Sequence, residues 1–321
     1  MKRFVNCFAF ALFIIVSIQS VSAARLLIPG GELIGLVLED QTVTVAAIDE
    51  ELGQDAKAAG LQVGDRLVTI NGQPIHSAAD VKQILAGCDG YLQLEVQRSG
   101  QTKRLKLMAQ ATADGPKLGV QLREGVTGVG TVTYYEPQTS AFGALGHGVN
   151  QGNQGLLAME KGQVFEAAVL SVRKGQVGQP GQLMGSLAGN TTIGSLRKNT
   201  AQGIFGKLDQ KTSGEKLPVA EKGQIHPGDA TIRSTINDQG VQEYSVEILK
   251  IYANPKCASR NMLLRVTDPR LLETTGGIVQ GMSGSPIIQG GMLVGAVTHV
   301  LVNDPTTGYG IFIENMLDAA A

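Results

Sequence analysis

The chain has 321 residues, a formal net charge of −1 at pH 7 and a hydrophobic content of 43%. This length suggests about two domains, and the apolar fraction is sufficient for packed cores. The near-neutral charge, with no dense Lys/Arg block, argues against nucleic acid as a partner. The three cysteines and four histidines are scattered singly, so neither a disulfide framework nor a metal site is predicted, and no cofactor is expected.

Residues 1–24 have the composition of an export signal. Lys2 and Arg3 precede the apolar run 4–18, and the small residues at 21–23 resemble a cleavage site. As a helix the run would span about 22 Å, which is short of the roughly 30 Å hydrocarbon core of a bilayer. A cleaved signal is therefore favoured over a permanent anchor, and we expect the rest of the chain to lie outside the cytoplasm.

Residues 25–111 carry the pattern of a small α/β domain. Ser77 is a good N-cap for a helix that ends at Gly87, and alternating apolar residues beyond it predict two strands joined at Ser99-Gly100. The run A-G-L-Q-V-G-D-R-L-V-T-I-N-G at residues 59–72 closely resembles the signature of a PDZ domain.

The PDZ resemblance implies a groove beside the helix, in which an extended peptide or chain end adds as an extra strand. The groove strand is expected at Leu36-Val37-Leu38, and Ile34-Gly35 would offer backbone N–H groups to a ligand carboxylate. The predicted peptide-binding residues are therefore Ile34, Gly35, Leu36, Val37 and Leu38. The alternative is a domain of the same shape whose groove is filled by its own side chains.

The second predicted domain, residues 112–321, consists of short apolar stretches separated by many glycines. Strands are predicted at 118–122, 130–135, 167–172, 244–252 and 262–266, and a helix at 313–320. Many strands at short spacing suggest a barrel or sandwich. The segment 173–243, which is rich in Gly, Gln, Lys and Thr, is predicted to form long loops with some strands.

The segment Gly281-Met282-Ser283-Gly284-Ser285-Pro286 places a hydroxyl between two glycines. Glycines permit unusual backbone angles and leave room beside the hydroxyl. A nucleophilic serine needs both, because neighbouring backbone N–H groups must point at the oxyanion of the transition state. Ser283 is therefore the predicted nucleophile. Ser285 is the alternative, although a proline follows it directly.

A serine nucleophile requires a base, and the base requires a group that orients it. His147 lies between two glycines on a constrained turn and is the first candidate, ahead of His226 in a polar loop. Asp268 closes an apolar strand and could orient the base, although Asp before Pro also commonly starts a turn. Asp229 is an alternative acid.

Several of these stretches resemble the stage IV sporulation protein B family of serine peptidases. They are residues 142–147, 267–272, 275–289 and 295–310. The likeness extends over nearly the whole chain, with leader, PDZ domain and peptidase domain in the family's order. It implies a triad of His147 as base, Asp268 as orienting acid and Ser283 as nucleophile.

The order His, Asp, Ser is also similar to that of chymotrypsin-like proteases. The implied fold is mainly β, with a small α/β PDZ domain followed by a two-barrel β peptidase domain. By the same likeness, the N–H groups of Gly281 and Ser283 form the oxyanion hole. Thr298 and His299 belong to the strand that pairs with substrate, although His299 could equally fill an ordinary strand position.

The family resemblance implies an exported endopeptidase that acts between forespore and mother cell. Its substrate would be the extracytoplasmic part of a membrane-bound regulator of an intramembrane protease, whose release activates a mother-cell sigma factor. Cleavage of its own chain is also implied. The alternative is a catalytically inactive PDZ scaffold that only binds peptides.

Overall fold

The computed structural model describes residues 25–88, 90–151, 155–252 and 259–321. The predicted leader at 1–24 lies outside the described residues. Within them, each helix is too short or too polar to cross a bilayer.

The strands of the described residues, in chain order, are β1 (Leu26–Pro29), β2 (Leu33–Ile48), β3 (Arg66–Ile70), β4 (Gln73–Pro74), β5 (Tyr91–Arg98), β6 (Gln101–Met108), β7 (Gln110–Thr112), β8 (Gly115–Lys117), β9 (Val120–Tyr135), β10 (Ala141–Ala144), β11 (Lys161–Arg173), β12 (Gln182–Thr200), β13 (Gly203–Leu208), β14 (Leu217–Pro218), β15 (Gly228–Ser234), β16 (Gln242–Ile251), β17 (Met262–Val266), β18 (Pro286–Gln289), β19 (Met292–Leu301) and β20 (Asp304–Phe312). The α-helices are α1 (Gln54–Ala58), α2 (Ala78–Ala86), α3 (Pro269–Thr275) and α4 (Ile313–Ala320).

Six strands close a first barrel. Their neighbours run β9–β10–β13–β12–β11–β2, and β2 pairs with β9 to complete the ring. Alternate side chains of a strand point to the same face, and in β2 those of Ile34, Leu36 and Leu38 are all buried in the core of this barrel. Phe142 and Val164 pack against them from β10 and β11.

The second barrel is closed by β15–β16–β17–β20–β19–β18. Its core contains Ile232, Val246 and Leu264, one from each of three adjacent strands. The predicted mainly β fold class, with a small PDZ-like region and two β-barrels, is confirmed.

The PDZ-like region has its own core, which is formed by α1, α2, β3, β5, β6 and parts of β2 and β9. The hydroxyl of Ser77 accepts a hydrogen bond from the Asp80 N–H, the carboxylate of Asp80 accepts one from the Ser77 N–H, and Gly87 ends the helix. β5 and β6 form the hairpin predicted to turn at Ser99-Gly100. These local features agree with the sequence because each depends on residues close in the chain.

The boundary of the PDZ-like region differs from the predicted 25–111. β2 and β9 are long and pair in both cores, with Leu36 opposite Gly128 in the barrel and Val45 opposite Leu122 in the PDZ-like region. Residues before about Val43 therefore belong to the barrel. The PDZ-like region is inserted between two neighbouring strands of that barrel, rather than preceding it.

The segment 173–243 contains more strand than expected, including all of β12, β13, β14 and β15. β12 has exposed residues on both faces and several glycines and threonines. No two-residue apolar alternation therefore marks it in the sequence.

Candidate active site

A cavity of about 460 Å³ lies between the two barrels. His147 contributes to its wall from the first barrel. Ser283, Thr298 and His299 contribute from the second. The fold therefore brings together the predicted nucleophile, the predicted base and the predicted substrate strand.

Ser283 lies in the turn that precedes β18. Gly281 and Gly284 have φ angles of +100° and +99°, a region that side chains rarely adopt. A Cβ on Gly284 would lie 1.9 Å from the carbonyl oxygen of Thr131, so only glycine allows the turn to approach β9 this closely. The Ser283 hydroxyl donates to the carbonyl of Thr298 at 2.8 Å.

The backbone N–H groups around Ser283 differ in their hydrogen bonding. That of Gly284 donates to the carbonyl of Val297 at 2.8 Å. Those of Gly281 and Ser283, the predicted oxyanion donors, have no acceptor within the described part of the chain. Since backbone N–H groups in folded proteins are nearly always paired, two open donors beside a hydroxyl fit an oxyanion hole.

His147 follows a turn that requires left-handed backbone at Leu145 and Gly146, with φ of +68° and +67°. Its Nδ1 lies 3.0 Å from the carbonyl oxygen of Gly148. A carbonyl only accepts, so Nδ1 carries the proton and Nε2 of the neutral ring is left as a base. Burial lowers the pKa of His147 below its ordinary value, although the Gly148 contact opposes this.

A second imidazole, that of His299, packs against His147 with ring centroids 5.2 Å apart. Burial lowers the pKa of His299 to about 4, and repulsion from His147 and Arg260 adds to the effect. Its Nδ1 is buried and has no hydrogen-bond partner in the described residues. Both rings are thus neutral near pH 7, and contact of His299 with substrate stays a prediction.

Asp268 lies away from this cavity, at the N-cap of α3. Its carboxylate accepts hydrogen bonds from the N–H of Ser245 and from the backbone and guanidinium of Arg270. These bonds, led by those of the Arg270 side chain, lower the pKa of Asp268 to about 2. The structure therefore does not bring Asp268 to His147, whose Nδ1 faces a backbone carbonyl instead. The orienting role of Asp268 stays a prediction.

We expect Asp268→Asn to lower the free energy of unfolding at pH 7. Because the folded pKa lies below the unfolded value near 4, the carboxylate stabilises the fold above pH 4, and this contribution is lost as the pH falls from 4 to 2. Because solvent screens the exposed guanidinium of Arg270, we expect the loss of stability to be on the order of 1 kcal/mol. Urea unfolding at pH 7 and pH 3 measures it.

Arg270→Gln is the matched control, since it removes the same ion pair from the other side and should show the same pH dependence. Equal stability of Asp268→Asn and parent at pH 7 would contradict the capping role. The Asp268→Asn variant also tests whether Asp268 has a catalytic role. A folded Asp268→Asn protein with kcat reduced by orders of magnitude would place the carboxylate beside His147 during turnover.

The remaining alternatives also lie outside the cavity. The Ser285 hydroxyl is fully buried and has no hydrogen-bond partner in the described residues. His226 is exposed, and its Nδ1 contacts the carbonyl of Pro227. Asp229 lines a separate cleft on the second barrel with Arg233. Ser283 and His147 are therefore the better-placed pair.

Several contributors to the site were not identified from the sequence, among them Pro180 and Leu183. Pro180, in the connection between β11 and β12, lines the cavity. Leu183 donates its N–H to the carbonyl of Gln280 at 2.8 Å, next to the Gly281 donor. Both lie in the segment predicted mainly as loops. A Pro-Gly pair at 180–181 marks a turn there, but a turn signal does not say what the turn contacts.

The groove of the PDZ-like region is a cavity of about 360 Å³ between α2 and residues 118–122. The predicted groove residues, Ile34, Gly35, Leu36, Val37 and Leu38, instead pair with β11 and β9 in the first barrel. The strand beside the helix is thus 118–122, not 36–38. The sequence did mark 118–122 as a strand, but assigned it to the second domain.

Comparison with known proteins agrees with this architecture. The sequence pattern of the family described as SpoIVB peptidase S55 matches residues 114–317, and that of a PDZ domain matches residues 53–91. A probable periplasmic serine endoprotease, DegP-like, from Pseudomonas fluorescens is 31% identical over 134 residues. That match covers 37% of this chain and 28% of the relative, so it spans about a quarter of the relative's length.

Two solved structures are also similar. The PDZ domain of the SdrC-like protein from Listeria monocytogenes has 15% identity and a TM-score of 0.23, and the match covers 26% of this chain and 87% of that one. The active form of the Rv3671c protease from M. tuberculosis has 15% identity and a TM-score of 0.35, and the match covers 60% of this chain and 72% of that one.

Proposed function

This chain belongs to the SpoIVB peptidase S55 family and is a serine endopeptidase, and from that premise we propose that Ser283 is its nucleophile and His147 its general base. One observation carries the proposal. The N–H groups of Gly281 and Ser283 are open within the described residues, on the wall of a cavity that His147 shares. Replacing Ser283 and His147 is the direct test.

In the proposed reaction, the Ser283 hydroxyl leaves the Thr298 carbonyl and turns toward Nε2 of His147. Oγ attacks the peptide carbonyl carbon while Nε2 takes the hydroxyl proton. The carbonyl oxygen becomes an oxyanion that accepts from the N–H groups of Gly281 and Ser283. His147 then passes its proton to the leaving amine, which leaves an acyl-enzyme that water hydrolyses by the same steps.

The Gly148 carbonyl has a defined part in this scheme. By accepting from Nδ1 of His147 it holds the ring in the tautomer that leaves Nε2 free for the serine proton. This is the orienting work that a carboxylate performs in a triad. A carbonyl has no full charge, so it stabilises the imidazolium less than a carboxylate does. Asp268 would supply that charge only after a rearrangement.

For the biological role, we propose cleavage of the extracytoplasmic part of a membrane-bound regulator during sporulation, and of the chain's own N-terminal region. Family membership supports this role, and the leader-like residues 1–24 and the periplasmic relative support export. The groove between α2 and residues 118–122 would hold an extended segment of the substrate. Membership of a serine peptidase family favours this proposal over the inactive-scaffold alternative.

We expect Ala78→Trp to separate delivery from chemistry. Ala78 lines the groove, so an indole there should fill it and block peptide addition, while the distant cavity is unchanged. The variant should hydrolyse a small peptide ester at the parent rate. In an endospore-forming cell that lacks its own copy, it should lower a mother-cell sigma-factor reporter at least tenfold, the order of effect of a lost binding site.

Ala79→Trp is the matched control, because Ala79 is exposed and does not line the groove. It should support the reporter as the parent does. Deleting residues 25–111 is not a useful variant, since β1 and half of β2 belong to the barrels. A full reporter signal with Ala78→Trp would exclude the groove as the delivery site, and a full signal with Ser283→Ala would exclude the sporulation role.

A further inference from the structure

We infer that Thr131 is a positioning residue, whose hydroxyl keeps the Gly281 N–H aimed into the oxyanion hole. The inference rests on the proposed function of Ser283 and deepens it. Thr131 lies on β9 of the first barrel and is fully buried. Its Oγ1 donates to the carbonyl of Gly281 at 2.8 Å, across 150 positions of sequence.

The direction of the Gly281 N–H depends on the peptide groups that flank this residue. Gly281 has no side chain and a φ of +100°, so its own backbone preferences do little to hold it. On one side, the Gln280 carbonyl accepts from Leu183 N–H at 2.8 Å. On the other, the Gly281 carbonyl accepts from Thr131. A bond from the first barrel therefore reaches each peptide plane, and in the second plane the Met282 N–H also donates to the Val279 carbonyl at 3.1 Å.

The Thr131 backbone connects the two catalytic loops. Its N–H donates to the Ser283 carbonyl at 3.1 Å, and its own carbonyl accepts from Leu145 N–H at 3.2 Å, two positions before His147. One residue thus contacts the loop of the nucleophile and the turn of the base. The backbone bonds do not need a threonine, but the bond to Gly281 needs a hydroxyl.

A neighbouring threonine provides a matched comparison. Thr133 is fully buried on the same strand, and its Oγ1 donates to the Gly284 carbonyl at 2.8 Å. The length and chemistry of the two bonds are the same. Gly284, however, lies beyond Ser283, and its own N–H is already bonded to Val297. Loss of the Thr133 hydroxyl should therefore weaken the fold without redirecting an oxyanion donor.

The test compares Thr131→Val, Thr131→Ser and Thr133→Val in the full chain. Thr131→Val should lower kcat for a peptide ester about 10- to 100-fold, less than the loss of a whole donor, with KM changed less than threefold. Affinity for a peptide aldehyde, whose adduct carries the oxyanion, should fall by a similar factor. Thr131→Ser should restore both, and Thr133→Val should keep kcat within threefold of the parent.

Thermal unfolding of each variant shows whether Thr131→Val and Thr133→Val lower the melting temperature by similar amounts. Unchanged kcat in Thr131→Val, failure of Thr131→Ser to restore it, or an equal loss in Thr133→Val would overturn the inference. If Thr131→Val does not fold, Thr131→Ala is judged by the same outcomes. Ser283→Ala is measured in the same assay. If Ser283→Ala retains activity, Ser283 is not the nucleophile. If Ser283→Ala is inactive and Thr131→Val is fully active, only the role of Thr131 is refuted.

Discussion

Ser283→Ala should lower kcat for a peptide ester by about 10⁶-fold, the loss found when a catalytic serine is removed. The variant loses the atom that forms the acyl-enzyme, and Ser285 cannot replace it because its hydroxyl is fully buried. The barrels should be unaffected, since among the described residues the Ser283 hydroxyl makes one hydrogen bond, to the Thr298 carbonyl. Initial-rate kinetics and labelling by a fluorophosphonate probe measure the effect.

Ser285→Ala is the control for this experiment. Its hydroxyl has no hydrogen-bond partner within the described residues, so its removal should cost neither stability nor rate. The parent and Ser285→Ala should label at equal rates, and Ser283→Ala should not label. Labelling of Ser283→Ala, with loss of labelling in Ser285→Ala, would move the nucleophile to Ser285.

His147→Ala should cost a comparable factor, about 10⁶-fold in kcat, because the serine and histidine act as one unit. The parent should lose activity in acid, since His147 must be neutral to accept the serine proton. Burial lowers its pKa, so the midpoint of the acid limb of kcat/KM should lie below 6.5. Burial lowers the pKa of the neighbouring His299 to about 4.

The controls for His147 use the other histidines. His226→Ala should keep the parent rate and pH profile, because His226 is exposed and outside the cavity. His299→Ala removes a neutral ring that packs on His147, so the acid limb should move toward the ordinary histidine value. A midpoint above 7 in the parent, or an unchanged rate in His147→Ala, would exclude His147 as the base.

Local chemistry made much of this protein predictable. The glycines around Ser283 and His147 mark turns that only a few residue types permit, and the structure places both turns on one cavity. The caps of α2 at Ser77 and Gly87 and the hairpin at Ser99-Gly100 were also predicted. In each case the residues that decide the conformation lie within a few positions of one another.

Pairing between distant strands was not predictable in the same way. An apolar alternation shows that a strand is half-buried, but not which partner covers it. The sequence therefore placed Leu36 in the PDZ groove and Leu118 in the second domain. The long strands β2 and β9, which run through both cores, reverse the two assignments. For the same reason, the sequence did not predict that Leu183 of β12 donates its N–H to the Gln280 carbonyl, next to Gly281.

By itself, then, the sequence determined a mainly β fold and the glycine-flanked turns that carry Ser283 and His147, because alternating apolar residues and glycines act over a few positions. The serine peptidase family followed from the resemblance of longer stretches. Only the tertiary structure decided the partners of those residues: the Gly148 carbonyl at His147, Arg270 at Asp268 and Thr131 at Gly281. A contact such as that of Thr131 with Gly281 joins residues 150 positions apart. It arises from the packing of two barrels against each other, which no local pattern encodes.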